Sequence, residues 1–454
     1  MDRSPKRRRS PFIRLLSPLR DFLAAEASGA ILLAVAALAA LVWANSPWRD
    51  SYEQLWTSRA AISVAGHSLD LDLRHWINDG LMTVFFLVVG LEIKRELTQG
   101  HLAGRRAAML PIAAAIGGMV VPALIYLAIA GGTAPRGWAI PMATDIALAV
   151  GVLAVARNRI PASLRSYLLG LAIVDDIGAI VIIAAVYSTG VQWGWLAAAL
   201  VGLAVTAAVR WFGVFSTPVY VVLGVVVWYG LHEAGIHPTL AGVAMGLLAP
   251  AVPRLRAELV DVDELTNLSD VVAAHSTSEL AKHSVSVVEW LQHVLHPWTS
   301  YLIVPAFALA NSGIQLSGNG VSAALRSPIT WGVFAGLVVG KPIGVVLATR
   351  LATRSGIADV PEGATRRQVL GIGAAAGIGF TVALFITELA FTDPAQQSNA
   401  KLAILIASVL AAAVSIALLC FKTAQPTVPS TGDPEQRAAH SLGRSASNPV
   451  VTEP

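Results

Sequence analysis

The chain has 454 residues, of which 55% are hydrophobic and only 13% charged, with a mean hydropathy of +0.65. A soluble domain carries about a quarter charged residues, so composition excludes a string of ordinary soluble domains and indicates an all-α polytopic membrane protein. The net charge of +4 comes from basic residues in loops and tails, where membrane topology accounts for them, and gives no reason to expect nucleic acid as a partner.

The chain begins with a basic arm, 1–26, carrying Lys6, Arg7, Arg8, Arg9, Arg14 and Arg20. The apolar stretch after it is longer than the core of a secretion signal, so it reads as a first retained helix. A transmembrane domain then covers 27–422. Its apolar intervals fall at about 27–45, 76–97, 108–131, 137–156, 164–188, 192–212, 216–233, 236–253, 291–313, 329–351, 367–391 and 399–422, which predicts about twelve helices of membrane-spanning length. Between the first two lies an outer segment, 61–73, in which apolar and polar residues alternate on either side of Gly66. This pattern predicts a β-hairpin, whose open edge can pair with a second copy of the chain or lie on its own subunit. A charged loop, 254–290, and a Pro/Ser/Thr/Gly-rich tail, 423–454, complete the organisation, and the tail is expected to be disordered. Cys420, the single cysteine, excludes an intrachain disulfide and a cysteine-rich metal site.

Alternate loops carry most of the Lys and Arg: Lys94, Arg95, Arg105 and Arg106, then Arg157 and Arg159, Arg210, Arg254 and Arg256, and finally Arg350, Arg354, Arg366 and Arg367. The other loops hold only Arg59, Arg74, Arg136, Arg326 and Lys401. Twelve spans put both termini on the basic, cytoplasmic side.

The residues that could carry chemistry are the charges inside apolar runs. Asp175 and Asp176 stand side by side between Leu164 and Val186, roughly 15 Å along their helix and so near the midplane. A charge at that depth costs at least ~2.5 kcal/mol and is by default an ion or proton site. Neighbours on a helix point about 100° apart, so the two cannot both face one ligand squarely; one can bind an ion while the other meets a cation elsewhere. The alternative is a pair of structural polar residues. Asp145 follows Pro141, Ala143 and Thr144 in another apolar run. The proline interrupts or kinks the helix, and in an interrupted helix Asp145 could neutralise the exposed positive ends while Thr144 offers an oxygen. Lys341 has apolar neighbours for about ten positions on either side; it either pairs with Asp175 or Asp176, or snorkels to the interface. The run from Gly371 to Thr381, with glycines at 371, 373, 377 and 379, predicts a second interruption or close helix packing. Asp79, near the outer end of its span, is either a cation attractor at a funnel mouth or an interfacial cap. Glu92 and Glu96 close the same helix, and His293, His296 and His237 sit at helix ends, where histidine can sense pH or simply line an interface.

Together these strings resemble the NhaA family of bacterial sodium/proton antiporters: Asn78-Asp79-Gly-Leu-Met, Val89-Gly-Leu-Glu-Ile-Lys-Arg-Glu96, Ala143-Thr-Asp145, Val174-Asp-Asp-Ile-Gly178, Leu295-His-Pro-Trp298 and Gly340-Lys-Pro342. The resemblance covers about residues 20–422. It implies inverted repeats, formed by spans three to five and ten to twelve, with two interrupted helices, 137–156 and 367–391, crossing near the midplane. It further implies that Asp176 and Asp175 form the ion and proton site, with Na+ as the metal ion transported. Asp145 and Thr144 would stabilise the crossing, Lys341 would pair with Asp175, and Glu92, Glu96, His237, His293 and His296 would take part in pH sensing. The hairpin resembles the family's dimer contact. Where the family often has a glutamate beside the first interfacial histidine, this chain has Gln292, so the family's pH profile does not carry over directly.

The expected function is electrogenic exchange of Na+ or Li+ for H+ at a midplane aspartate pair with alternating access, serving sodium and pH homeostasis. The protein would not be an enzyme, would need no cofactor, would sit in membrane lipid in a bacterial inner membrane and would form a homodimer. A passive cation channel would use similar acidic groups but would not drive sodium uphill from a pH gradient. An intramembrane aspartyl protease could use Asp145 and Asp176, yet the Gly-rich span continues Gly377-Ile-Gly379-Phe380 without the Asp such enzymes carry.

Overall fold

The computed structural model describes residues 28–420 except 65, 66, 101, 103, 157, 158, 189, 215 and 252–285. The basic arm 1–26, most of the 254–290 loop and the tail 423–454 therefore lie outside the described residues.

Each of the twelve apolar intervals holds helix. In chain order these are α1 (Ser28–Ala44), a short amphipathic α2 (Arg49–Thr57), α3 (Leu73–Thr98), α4 (Arg105–Ala130), a 3-10 segment Pro135–Met142 followed by α5 (Ile146–Val155), α6 (Ala162–Val186), α7 (Trp193–Trp211), α8 (Thr217–Glu233) and α9 (Leu240–Leu248). After the undescribed loop come α10 (Val287–Trp298), which a π-helical turn Thr299–Ile303 joins to α11 (Val304–Asn311), then a short α12 (Gly318–Arg326), α13 (Pro328–Arg354), α14 (Arg366–Ala376), α15 (Phe380–Ala390) and α16 (Pro394–Cys420). Among the described residues seven segments are long and apolar enough to cross a membrane, and up to nine if each bent pair is one span. The molecule is a polytopic helical membrane protein. The interval 236–253 holds less helix than expected: among its described residues only Leu240–Leu248 is helical, because the backbone at Gly235 takes a φ of +74° and Pro238 disfavours helix at the residue before it.

The hairpin is present as two antiparallel strands, β1 (Arg59–Val64) and β2 (His67–Asp72), in register from Arg59 opposite Asp72 to Val64 opposite His67. The strands begin earlier than the alternation suggested, and Leu73 already belongs to α3.

Small residues let the helices approach closely. A Cβ on Gly344 of α13 would collide with the Gly117 carbonyl of α4, and one on Gly117 with that of Gly344; such backbone-to-backbone packing replaces the hydrophobic drive that lipid removes. Two groups of three segments share one pattern of unbroken, interrupted, unbroken: α4, the 135–155 segment and α6, then α13, α14–α15 and α16. The first group begins at its arginine-bearing end, Arg105 and Arg106, whereas α13 finishes at its own, Arg350 and Arg354.

Candidate functional site

The two interruptions meet. After the 3-10 turns that end at Met142, Ala143 is extended (φ −74°, ψ 148°) and Asp145 becomes the N-cap of α5. Between α14 and α15 the helix breaks at Gly377–Gly379 and bends by 44°. Asp145 N donates to the Ile378 carbonyl at 2.6 Å. Its Oδ1 accepts from Leu148 N at 3.0 Å, and its Oδ2 accepts from Thr381 N at 3.0 Å and Thr381 Oγ1 at 2.8 Å. One carboxylate thus caps the N-termini of both half-helices, where unsatisfied N–H groups carry partial positive charge.

Packed beside this crossing, α6 carries Asp175 and Asp176, which are 1% and 6% exposed. Asp175 Oδ2 receives the Lys341 ammonium, and Lys341 has no exposed surface. Thr144 Oγ1 lies 2.6 Å from the same carboxylate oxygen and 2.9 Å from the Ala376 carbonyl, so its single proton serves one of them at a time; Lys341 Nζ donates to it at 3.0 Å. Lys341 directly follows a π-helical turn, Gly336–Gly340, a local widening frequently found at functional sites. Asp175 Oδ1 and Asp176 Oδ1 are buried without a hydrogen-bond partner among the described residues. Buried carboxylate oxygens without donors are costly, and oxygens are what a small hard cation requires. The described residues contain no cluster of three or more His, Cys, Asp or Glu side chains able to hold a metal ion.

A family model described as Na+/H+ antiporter 1 matches residues 20–419. The chain belongs to the NhaA sodium/proton antiporter family. It is 44% identical over 429 residues to the Na+/H+ antiporter NhaA 2 of Sorangium cellulosum, covering 91% of both chains. It is 45% identical to the NhaA antiporter of Oleidesulfovibrio alaskensis, covering 88% of this chain and 93% of that one. It is also 45% identical to NhaA 1 of Myxococcus xanthus, covering 91% and 95%.

Of the residues that carry the NhaA resemblance, five assemble at the crossing: Thr144, Asp145, Asp175, Asp176 and Lys341. Asp79 lies elsewhere, in a cavity of about 650 Å³ whose walls also include Asn78, Arg74, His237 and Glu388. His237 Nε2 is 3.6 Å from Asp79 Oδ1, and Asn78 exchanges amide hydrogen bonds with the buried Asn311. Just before α3, burial works against the ionised form of Asp72, but the His75 N–H, the His75 ring and Arg74 outweigh it and hold the carboxyl below its usual range. Glu92 and Glu96 occupy the far end of α3, where α10, the helix of His293 and His296, packs against it through Leu91, Val288 and Leu291. His237 does not join them; it lines the cavity at the opposite end of α3.

Two features escaped the sequence reading. Thr381, which ties α15 to Asp145, was part of the glycine-rich string, and its place in the first turn after the break was the available signal. Glu388 is an acid inside an apolar run, the same signal that exposed Asp175. It lies 2.5 Å from Lys401, and their side chains are 17% and 11% exposed. Lys401 is therefore not a loop charge but a buried residue two turns into α16.

Proposed function

We propose that the protein expels Na+, or Li+, in electrogenic exchange for protons across a bacterial inner membrane, with both termini cytoplasmic, and so serves sodium and pH homeostasis. The observation that carries this reading is the Asp175–Asp176 pair at the crossing, with one oxygen of each carboxylate buried and unpartnered among the described residues. Asp176, with no cationic partner at hydrogen-bond distance among the described residues, is the ion-binding carboxylate. A sodium ion and a proton compete for it, and alternating access turns that competition into antiport. Asp175 and Lys341 offer a second proton site: when Asp175 is protonated, Lys341 loses its counter-charge. Two protons entering for each sodium leaving gives the net charge movement. Asp145 and Thr144 keep the two half-helices together while the site changes its exposure, Asp79 draws cations into the cavity, and Glu92, Glu96, His293 and His296 report cytoplasmic pH. His237, which faces Asp79, would respond instead to pH at the cavity.

In everted vesicles energised by respiration, sodium or lithium should relieve the quenching of a ΔpH-sensitive dye, and Asp176→Asn should abolish that response while the protein still inserts. Normal sodium-driven dequenching in the variant would sink the assignment.

A further inference from the structure

At the arginine-bearing end of the molecule a second cavity, of about 340 Å³, opens between α13 and α14. Arg350 and Arg354, from the end of α13, and Arg366, the first residue of α14, line it. Positive charge at this end is what membrane topology demands, but topology does not require three guanidiniums to share one cavity, where they repel each other. Among the described residues the ion pairs involve other side chains and none reaches these three arginines. A reciprocal cap between Thr365 and Gln368 already engages two backbone N–H groups at the start of α14, and the Val345 carbonyl and Tyr167 engage the Thr349 hydroxyl. An anion there would therefore be held by the arginine side chains.

The surroundings specify which anion. Val346 and Val369 give the cavity apolar walls. Leu347 and Leu351 stand three residues before Arg350 and Arg354, which makes them neighbours on the helix surface. With Ile343 they form a stripe that is 49–59% exposed toward the bilayer. Arginines at the head of a lipid-facing apolar stripe match a phosphate joined to acyl chains, and guanidinium forks suit phosphate oxygens. We propose that this cavity binds the headgroup of an anionic phospholipid, with its chains along Ile343, Leu347 and Leu351. Such a lipid bridges α13, which carries Lys341 roughly 14 Å further along, to the first half of the interrupted α14–α15 span.

The test uses the full chain purified in a neutral detergent. Phosphatidylglycerol should raise the thermal unfolding midpoint of the wild-type protein, whereas phosphatidylcholine and inorganic phosphate should not. R350Q/R354Q/R366Q should lose the shift, and K94Q/R95Q/R106Q, which removes equal charge from the ends of α3 and α4 that face the same side, should keep it. Native mass spectrometry should show phosphatidylglycerol retention falling at least tenfold in the first triple variant only. Equal behaviour of the two variants would overturn the proposal in favour of diffuse surface charge. Equal stabilisation by inorganic phosphate would overturn it in favour of a free-anion site.

Discussion

Lys341 has no solvent-exposed surface and its ammonium rests on Asp175. A buried ion pair is a poor source of net stability, because two desolvation costs offset the attraction, but removing one partner strands the other. Asp175→Asn should therefore destabilise the purified protein by about 3–5 kcal/mol, read as a lower unfolding midpoint. D175N/K341M should recover part of that loss, since the stranded ammonium is gone. Strictly additive losses in the cycle would mean that the two side chains are not energetically coupled. The same cycle on Glu388 and Lys401 should show a smaller coupling, because that pair keeps 17% and 11% exposure.

At the level of elements, the site depends on two broken helices touching where glycine replaces a side chain. A Cβ on Gly379 would lie 2.9 Å from Leu337 Cδ2 and 3.0 Å from the Ala143 carbonyl oxygen, between the two interruptions. Gly379→Ala should cost about 1–3 kcal/mol by overpacking and lower sodium-driven exchange by displacing Thr381 from Asp145. Gly194→Ala, near the start of α7 with nothing within 4 Å of the new methyl, should leave both properties unchanged or slightly raise stability. Equal effects of the two substitutions would show that the contact at the crossing is slack. These interruptions were legible in the sequence because Pro141 and the glycines of 371–379 break helices by local chemistry, and the aspartates because charge in an apolar run is costly wherever the chain goes. What local chemistry does not encode is which ends meet. Asp145 accepts from Thr381 across 236 positions, Lys401 turned inward instead of standing in a loop, and His237 faces Asp79 rather than His293. Each of these depends on tertiary neighbours that no spacing rule in one segment specifies.

At the scale of the molecule, the hairpin is a two-stranded sheet with no third strand among the described residues. Such a sheet leaves a row of backbone donors and acceptors open on each edge, and two strands alone are marginally stable in water. Arg59 bonds Asp70 at 2.9 Å and Trp76 Nε1 donates to the Ala60 carbonyl at 2.9 Å, so the hairpin is anchored at its base. Pairing edge to edge with a second copy would satisfy the remaining backbone groups and make the protein a homodimer. Leu73 N donates to the Ser58 carbonyl at 3.0 Å, so the ends of the hairpin are already adjacent. Replacing residues 60–71 by Gly-Gly should leave α2 and α3 in place and should not touch Asp145, Asp175, Asp176 or Lys341. Light scattering of the detergent-solubilised protein should give the mass of two chains for the wild type and of one for the shortened variant, while sodium-driven dequenching persists in vesicles. A shortened variant that keeps the two-chain mass would move the interface to the helices. A wild type with the mass of one chain would remove the hairpin's role in assembly and leave it a cover for the outer ends of α2 and α3.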